Sequence, residues 1–362
     1  MEAARDIAGV SLFLTIGVAA GALLQEGLSA PVTLALCLTL PPAILVLVLL
    51  LRRHRHRGHA AALLLLLGCW LFLTESRLNT LSPGPGRVER IAFRSREALS
   101  GVVDRIPFDD PGSAPLVRAL VLGDRSGLSR ETRAVFRESG ASHLLALSGL
   151  HLGILYALLS FLTRAVGKGG PLVRWIRFSL LTSLTGAYVL LTGASPSLVR
   201  AFLFILLSEA SRLRPDRKLS LLQSFCGALT LQLAFHPSVI TSPGFQLSYL
   251  AMAGITLLYP PLRQIYPEGS RWSPFRYVWN AAALSIACQA TTAPLVWWRF
   301  RSFPRYFLLT NLIALPLTPL VMVSSAGVVV MTAMGWCPGM MVRATELLLS
   351  ALVWVLTVIS SM

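Results

Sequence analysis

Charge is scarce in this chain, and acidic charge scarcest. Only 13% of the 362 residues are Asp, Glu, Lys or Arg, against roughly 25% in a water-soluble domain. A soluble globular fold is excluded on that ground. Cysteine is also rare: Cys37, Cys69, Cys226, Cys288 and Cys337 lie singly in apolar runs, with no CxxC spacing. That excludes a disulfide framework and a thiolate zinc site, and the five read as small buried hydrophobes. Apolar residues fill the space, at 54% with a mean hydropathy of +0.67. Composition therefore predicts an all-α, polytopic helical membrane protein, because a helix satisfies its own backbone in hydrocarbon. The 32 Lys and Arg outnumber the 16 Asp and Glu, a balance of +16. Topology, anionic lipid and a polyanionic substrate each account for such an excess.

The apolar runs predict about 9–11 transmembrane or re-entrant helices. Three open the chain, at 7–24, 31–51 and 60–74, and make residues 1–74 an amino-terminal membrane region. The first run lacks a small-residue cleavage site and reads as a retained anchor. Between the second and third runs, Arg52, Arg53, Arg55 and Arg57 mark a cytoplasmic loop, which puts the amino terminus inside. His54, His56 and His59 match the HxHxxH spacing of metallo-hydrolases. Gly58 stands where an Asp would precede the third His, and four arginines repel a cation. No metal or cofactor is expected.

Residues 75–140 differ, with eleven arginines and nine acids, and read as a small helical, water-facing, extracytoplasmic segment. After the breaker-rich linker NTLSPGPG (79–86), Val88, Ile91, Leu99, Val102 and Ile106 share one helical stripe. That helix lies on the membrane or packs on its own domain. A second helix spans 114–122 and stops at Gly123. Ser129 caps a third, which ends at Gly140.

Residues 141–362 carry the rest of the bundle, in runs at 144–163, 172–192, 198–211, 219–235, 245–262, 277–298, 306–333 and 339–360. Basic loops at 164–177, 212–218 and 263–276 read as cytoplasmic, which places 75–140 and the carboxyl terminus outside. Arg299, Arg301 and Arg305 oppose that pattern. With Trp297 and Trp298 they read either as interfacial anchors or as a nucleic-acid contact.

Polar and helix-breaking residues recur at membrane depth. SGASHLLALSGLHLG (139–153) sets His143, Ser148 and His151 in an apolar run, with Gly149 and Gly153 four apart. SPSLVRA (195–201) puts Arg200 one turn into a helix, while Glu209 in the same helix is too far along it and pairs instead with Arg212 or Arg214. PGFQLSYLA (243–251) breaks the chain before Gln246 and Ser248. Thr291 and Thr292 precede Pro294, and Asn311 precedes Pro316 and Pro319. Breaks of this kind persist in a bilayer where freed backbone lines a cavity or is buried in protein.

HLLALSGLHLG resembles the signature of the ComEC competence proteins. SPSLVRA, PGFQLSYLA and the NLIALPL run at Asn311 resemble later landmarks of that family in the same order, and ALVLGDRSGLSRETRAVFRESG (119–140) resembles its lead-in. The resemblance implies a multi-pass bacterial inner-membrane channel that carries one strand of DNA into the cytoplasm during natural transformation. Matched position by position, it implies path residues His143, Ser148, Gly149, His151, Arg200, Gly244, Phe245, Gln246 and Ser248, with Asn311 from the fourth landmark. Implied partners are single-stranded DNA, membrane lipid and a separate DNA receptor, nuclease and cytoplasmic translocase. A homo-oligomer is compatible with it. Residues 75–140 lack the strand pattern of the family's OB-like domain, and no metallo-hydrolase domain follows the last apolar run, so nuclease activity is expected elsewhere.

Two other classes use the same residues. A permease for a smaller anion needs the same breaks and Arg200. An intramembrane hydrolase would pair Ser148 with His151, three apart on one helical face, but no acid nearby orients the histidine.

Overall fold

The computed structural model describes residues 2–27, 29–53, 57–81, 87–163, 170–213, 219–266, 274–301 and 306–362. Outside them lie His54, Arg55 and His56 of the basic histidine run, most of the NTLSPGPG linker, and Arg164, Lys168, Arg214, Arg217, Lys218, Arg271 and Arg305. Among the described residues there is no strand, as composition predicts. The first helices are α1 (Glu2–Gly27), α2 (Ala30–Arg53), α3 (Arg57–Leu81), α4 (Arg87–Val103) and α5 (Ser113–Val117), which continues as a π turn, Arg118–Leu122. Next come α6 (Arg130–Glu138), α7 (Ser142–Leu145), α8 (Gly149–Leu162), α9 (Pro171–Leu191), α10 (Pro196–Leu213) and α11 (Leu221–Phe235). A 3-10 turn, Pro237–Thr241, leads to α12 (Pro243–Leu257), α13 (Tyr259–Gln264), α14 (Pro274–Phe300), α15 (Phe307–Ala333) and α16 (Gly339–Ser360).

Among the described residues, five helices are long and apolar enough to cross a membrane: Asp6–Gly27, Pro31–Val48, Ala60–Thr80, Phe307–Ala333 and Gly339–Ser360. The expected full-length run at 144–163 is instead split, and α8 at 14 residues and α11 at 15 fall short of the ~20 needed to span. The prolines behave differently from expectation too. α14 runs unbroken through Pro294, and α15 through Pro316 and Pro319. The breaks fall at 146–148, 193–195 and 236–242.

The chain divides into two compact units. The first comprises Met1–Pro85 and Leu203–Tyr249. Here α1 crosses α3 on glycine: a β-carbon on Gly68 would lie 2.6 Å from the Leu14 carbonyl oxygen and 2.8 Å from the Val18 nitrogen, and one on Gly17 would meet the Leu65 backbone. In lipid such small-residue contacts replace the hydrophobic effect as the source of helix association. Beyond them Leu14, Val18, Phe72, Leu233, Val239, Phe245 and Tyr249 form the core. α3 extends past the expected end at Thr74, and the extension carries Glu75, which accepts from the Ser238 N–H (2.6 Å) and pairs with His236. Glu209 pairs with Arg212 at 2.6 Å, as its spacing predicts.

The second unit comprises Gly86–Phe202 and Leu250–Met362. Its core joins Val103, Leu116, Leu120, Phe136 and Leu144 to Val321, Val328, Leu349 and Leu352. The charged segment that precedes the signature thus shares one apolar core with the α15–α16 hairpin. Two hydrogen bonds fix the arrangement. Thr310 donates to the Ser139 carbonyl at 2.5 Å, and the Asp110 N–H donates to Glu346 Oε1 at 3.0 Å. α4 packs its Leu99 and Val103 side inward, while Ile91, of the apolar stripe, is exposed with Phe93. Arg96 of α4 donates to the Thr192 carbonyl at the end of α9 (2.9 Å), so a cation meets the negative end of that helix.

Candidate functional site

The signature is a break between two helices. α7 ends at Leu145, Ala146 is extended, and Ser148 is the N-cap of α8. A helix start leaves main-chain N–H groups without partners, and here Ser148 and His151 supply them. The Ser148 hydroxyl accepts from the Leu150 N–H at 3.3 Å, while the Ser148 N–H donates to His151 Nδ1, also at 3.3 Å. This is the reciprocal capping box with histidine in the place of Glu or Gln. Because a main-chain N–H can only donate, Nδ1 is an acceptor, and the neutral ring carries its proton on Nε2. The Ser148 hydroxyl also lies 3.0 Å from Nδ1. His151 is fully buried, and its Nε2 has no partner in hydrogen-bond geometry among the described residues.

Arg200 stands against the same helix start. Its Nη2 lies 3.0 Å from where a β-carbon on Gly149 would be, and the Ala201 β-carbon lies 3.4 Å away. Gly149 therefore makes room for the guanidinium, whereas Gly153 has open space around it and is not a packing contact. Arg200 is four residues into α10, about 6 Å along its axis, so a permanent cation sits close to the positive ends of two helices. Like charges of this kind favour an anion or water between them.

The other motif residues have separate surroundings. His143 is exposed, with Nδ1 3.2 Å from the Gly140 carbonyl. Asn311 donates to the Ser285 hydroxyl at 3.3 Å and ties α15 to α14. The third motif falls in the first unit: Gln246 donates to the Ile240 carbonyl at 2.8 Å, closing the 3-10 turn onto α12. Phe245 is buried against Tyr249, with ring centroids 4.5 Å apart. Gly244 has open space beside it, and Ser248 is half-buried. The second unit thus brings Ser148, Gly149, His151 and Arg200 together. Among the described residues no three His, Cys, Asp or Glu side chains converge as a metal site.

Sequence reasoning missed a cleft of about 530 Å³ lined by Arg125, Arg130, Arg133, Arg137, Ser142 and Leu145. The signal was present in the i, i+3, i+7 spacing of three of these arginines.

These features define a polytopic helical membrane protein with a cation lodged at a helix break. A family model described as competence protein matches residues 120–362, two thirds of the chain, and the chain belongs to that family. It is 27% identical over 247 residues to ComE operon protein 3 of Bacillus subtilis, covering 68% of this chain and 30% of that protein. It is 29% identical over 245 residues to competence protein ComA of Neisseria gonorrhoeae (64% and 32%), and 26% identical over 217 residues to recombination protein 2 of Haemophilus influenzae (56% and 26%). The chain spans about a quarter to a third of the length of these relatives. No solved structure matches it.

Proposed function

We propose that this chain forms the membrane part of an inner-membrane channel that carries single-stranded DNA into the cytoplasm during natural transformation. Membership of the competence family supports the process. The observation that carries the mechanism is the Arg200 guanidinium seated on Gly149 at the start of α8. A phosphate passing this point would meet a fixed cation and the positive ends of two helices without forming a bond. Transport rather than hydrolysis is favoured by the role of Ser148, whose hydroxyl is engaged as a cap, and by the lack of a carboxylate on His151 Nε2 among the described residues. A receptor, a strand-degrading nuclease and a cytoplasmic translocase would act alongside it.

The test is uptake of labelled DNA in a transformable cell. Arg200→Ala and His151→Ala are expected to lower internalised DNA at least tenfold while leaving surface-bound DNA unchanged. Normal transformation in both variants would remove the proposal, and a defect confined to small-anion transport would replace it with the permease.

A further inference from the structure

The arginine cleft beside the signature has no place in the mechanism above. Arg130, Arg133 and Arg137 lie on one face of α6, spread over about 10 Å of helix, with Ala134 between them. Arg125 closes the cleft from the preceding turn, its Nε donating to the Leu145 carbonyl at 2.8 Å. Arg133 is held by the carbonyls of Arg125 (2.5 Å) and Ser126 (3.2 Å). No carboxylate lines the cleft among the described residues, and Glu138 meets only Arg137, at 3.6 Å on the exposed rim. Ser142 and Leu145 of α7 form the opposite wall, so the cleft adjoins the break that precedes α8.

We propose that this cleft is a binding site for the phosphates of a single nucleic-acid strand. The inference rests on the channel reading for its biological use and on the cleft itself for its chemistry. Four guanidiniums facing one space repel one another unless an anion joins them, and guanidinium matches phosphate oxygens in pairs. A row of cations about 10 Å long suits successive phosphates of one strand, whose charges advance ~3.4 Å per nucleotide along the axis when the bases are stacked. A single phosphate or lipid headgroup would leave most of the row unmatched. The lining has no aromatic side chain, so bases would not be stacked and binding would be indifferent to sequence.

The full chain in phosphatidylcholine nanodiscs should bind a fluorescein-labelled oligo-dT strand, followed by anisotropy against salt. Arg130→Gln with Arg137→Gln spares the two arginines that hold backbone carbonyls. Removing two phosphate contacts should lower the salt slope by about 1.4 and weaken binding about 25-fold at ~0.1 M salt, while the double Lys variant should keep the wild-type slope. The site is overturned if the wild-type chain does not bind, if the Gln variant keeps affinity and slope, or if it loses only association with phosphatidylglycerol nanodiscs. Normal transformation in both Arg200→Ala and His151→Ala, with the oligo-dT result intact, would remove the channel and keep the cleft. An unchanged slope beside an uptake defect in Arg200→Ala would do the reverse.

Discussion

His151 Nδ1 accepts the main-chain N–H of Ser148, three positions before it, at 3.3 Å. The same pair, with the Ser148 hydroxyl 3.0 Å from Nδ1, starts a helix inside an apolar bundle. His151→Ala strips the cap and leaves the Ser148 N–H without its partner, at a cost of about 1–2 kcal/mol. His151→Gln restores an acceptor at the same position without adding charge. The expected order of thermal midpoints for the purified protein is wild type, then Gln close below it, then Ala lowest. Nitrogen-15 spectra of labelled histidine should show the proton of His151 on Nε2. A proton on Nδ1 would refute the cap.

Gly149 and Gly68 predict opposite outcomes for the same substitution. A β-carbon at Gly149 meets the end of the Arg200 side chain, which can swing away. Gly149→Ala should keep the thermal midpoint and reduce DNA uptake, because the guanidinium is displaced. At Gly68 the β-carbon meets the backbone of Leu14 and Val18, so α1 and α3 must part. Overpacking costs about 1–3 kcal/mol, more than the ~1 kcal/mol that alanine gains in a helix. Gly68→Ala should lower the midpoint, and equal midpoints for the two variants would contradict this assignment.

Tyr188 donates its hydroxyl to the Val121 carbonyl at 2.9 Å, joining α9 to the π turn. Tyr188→Phe removes one buried hydrogen bond, worth about 1 kcal/mol. Faster amide exchange across residues 118–124 is the expected result, with little change in α16. Unaltered exchange in that turn would show that the bond does not hold it.

The helical membrane class was legible because apolar length and charge scarcity report directly on solvent. Gly123, Ser129 and Gly140 were legible as stops and a cap because each acts within its own turn: Gly123 has φ +73° and Gly140 +81°, and Ser129 accepts from Thr132. Contacts between distant segments were not. Glu75 meeting His236, Thr310 meeting Ser139 and Gly68 meeting Leu14 follow from packing, which no local pattern encodes. Pro316 and Pro319 misled because neighbouring helices hold a proline-containing helix together in a bundle.

Asp124 gives a pH dependence outside the spanning helices. Its carboxylate accepts the Ser126 N–H at 3.0 Å, and this bond, with the nearby Arg118 and Arg96, holds its pKa below the ordinary aspartate range against the opposing effect of burial. A carboxyl depressed in the folded state stabilises it above the unfolded pKa of about 3.9, and that contribution disappears as pH falls through the folded value. Titration of Asp124 should therefore leave stability unchanged between about pH 5 and 8 and lower it only under more acid conditions. Asp124→Asn keeps an acceptor for Ser126 and loses the attraction to the arginines. Its thermal midpoint should lie below wild type at neutral pH, with the gap closing as the solution is acidified. A gap that stays constant into acid would show that the charge of Asp124 does not contribute to the fold.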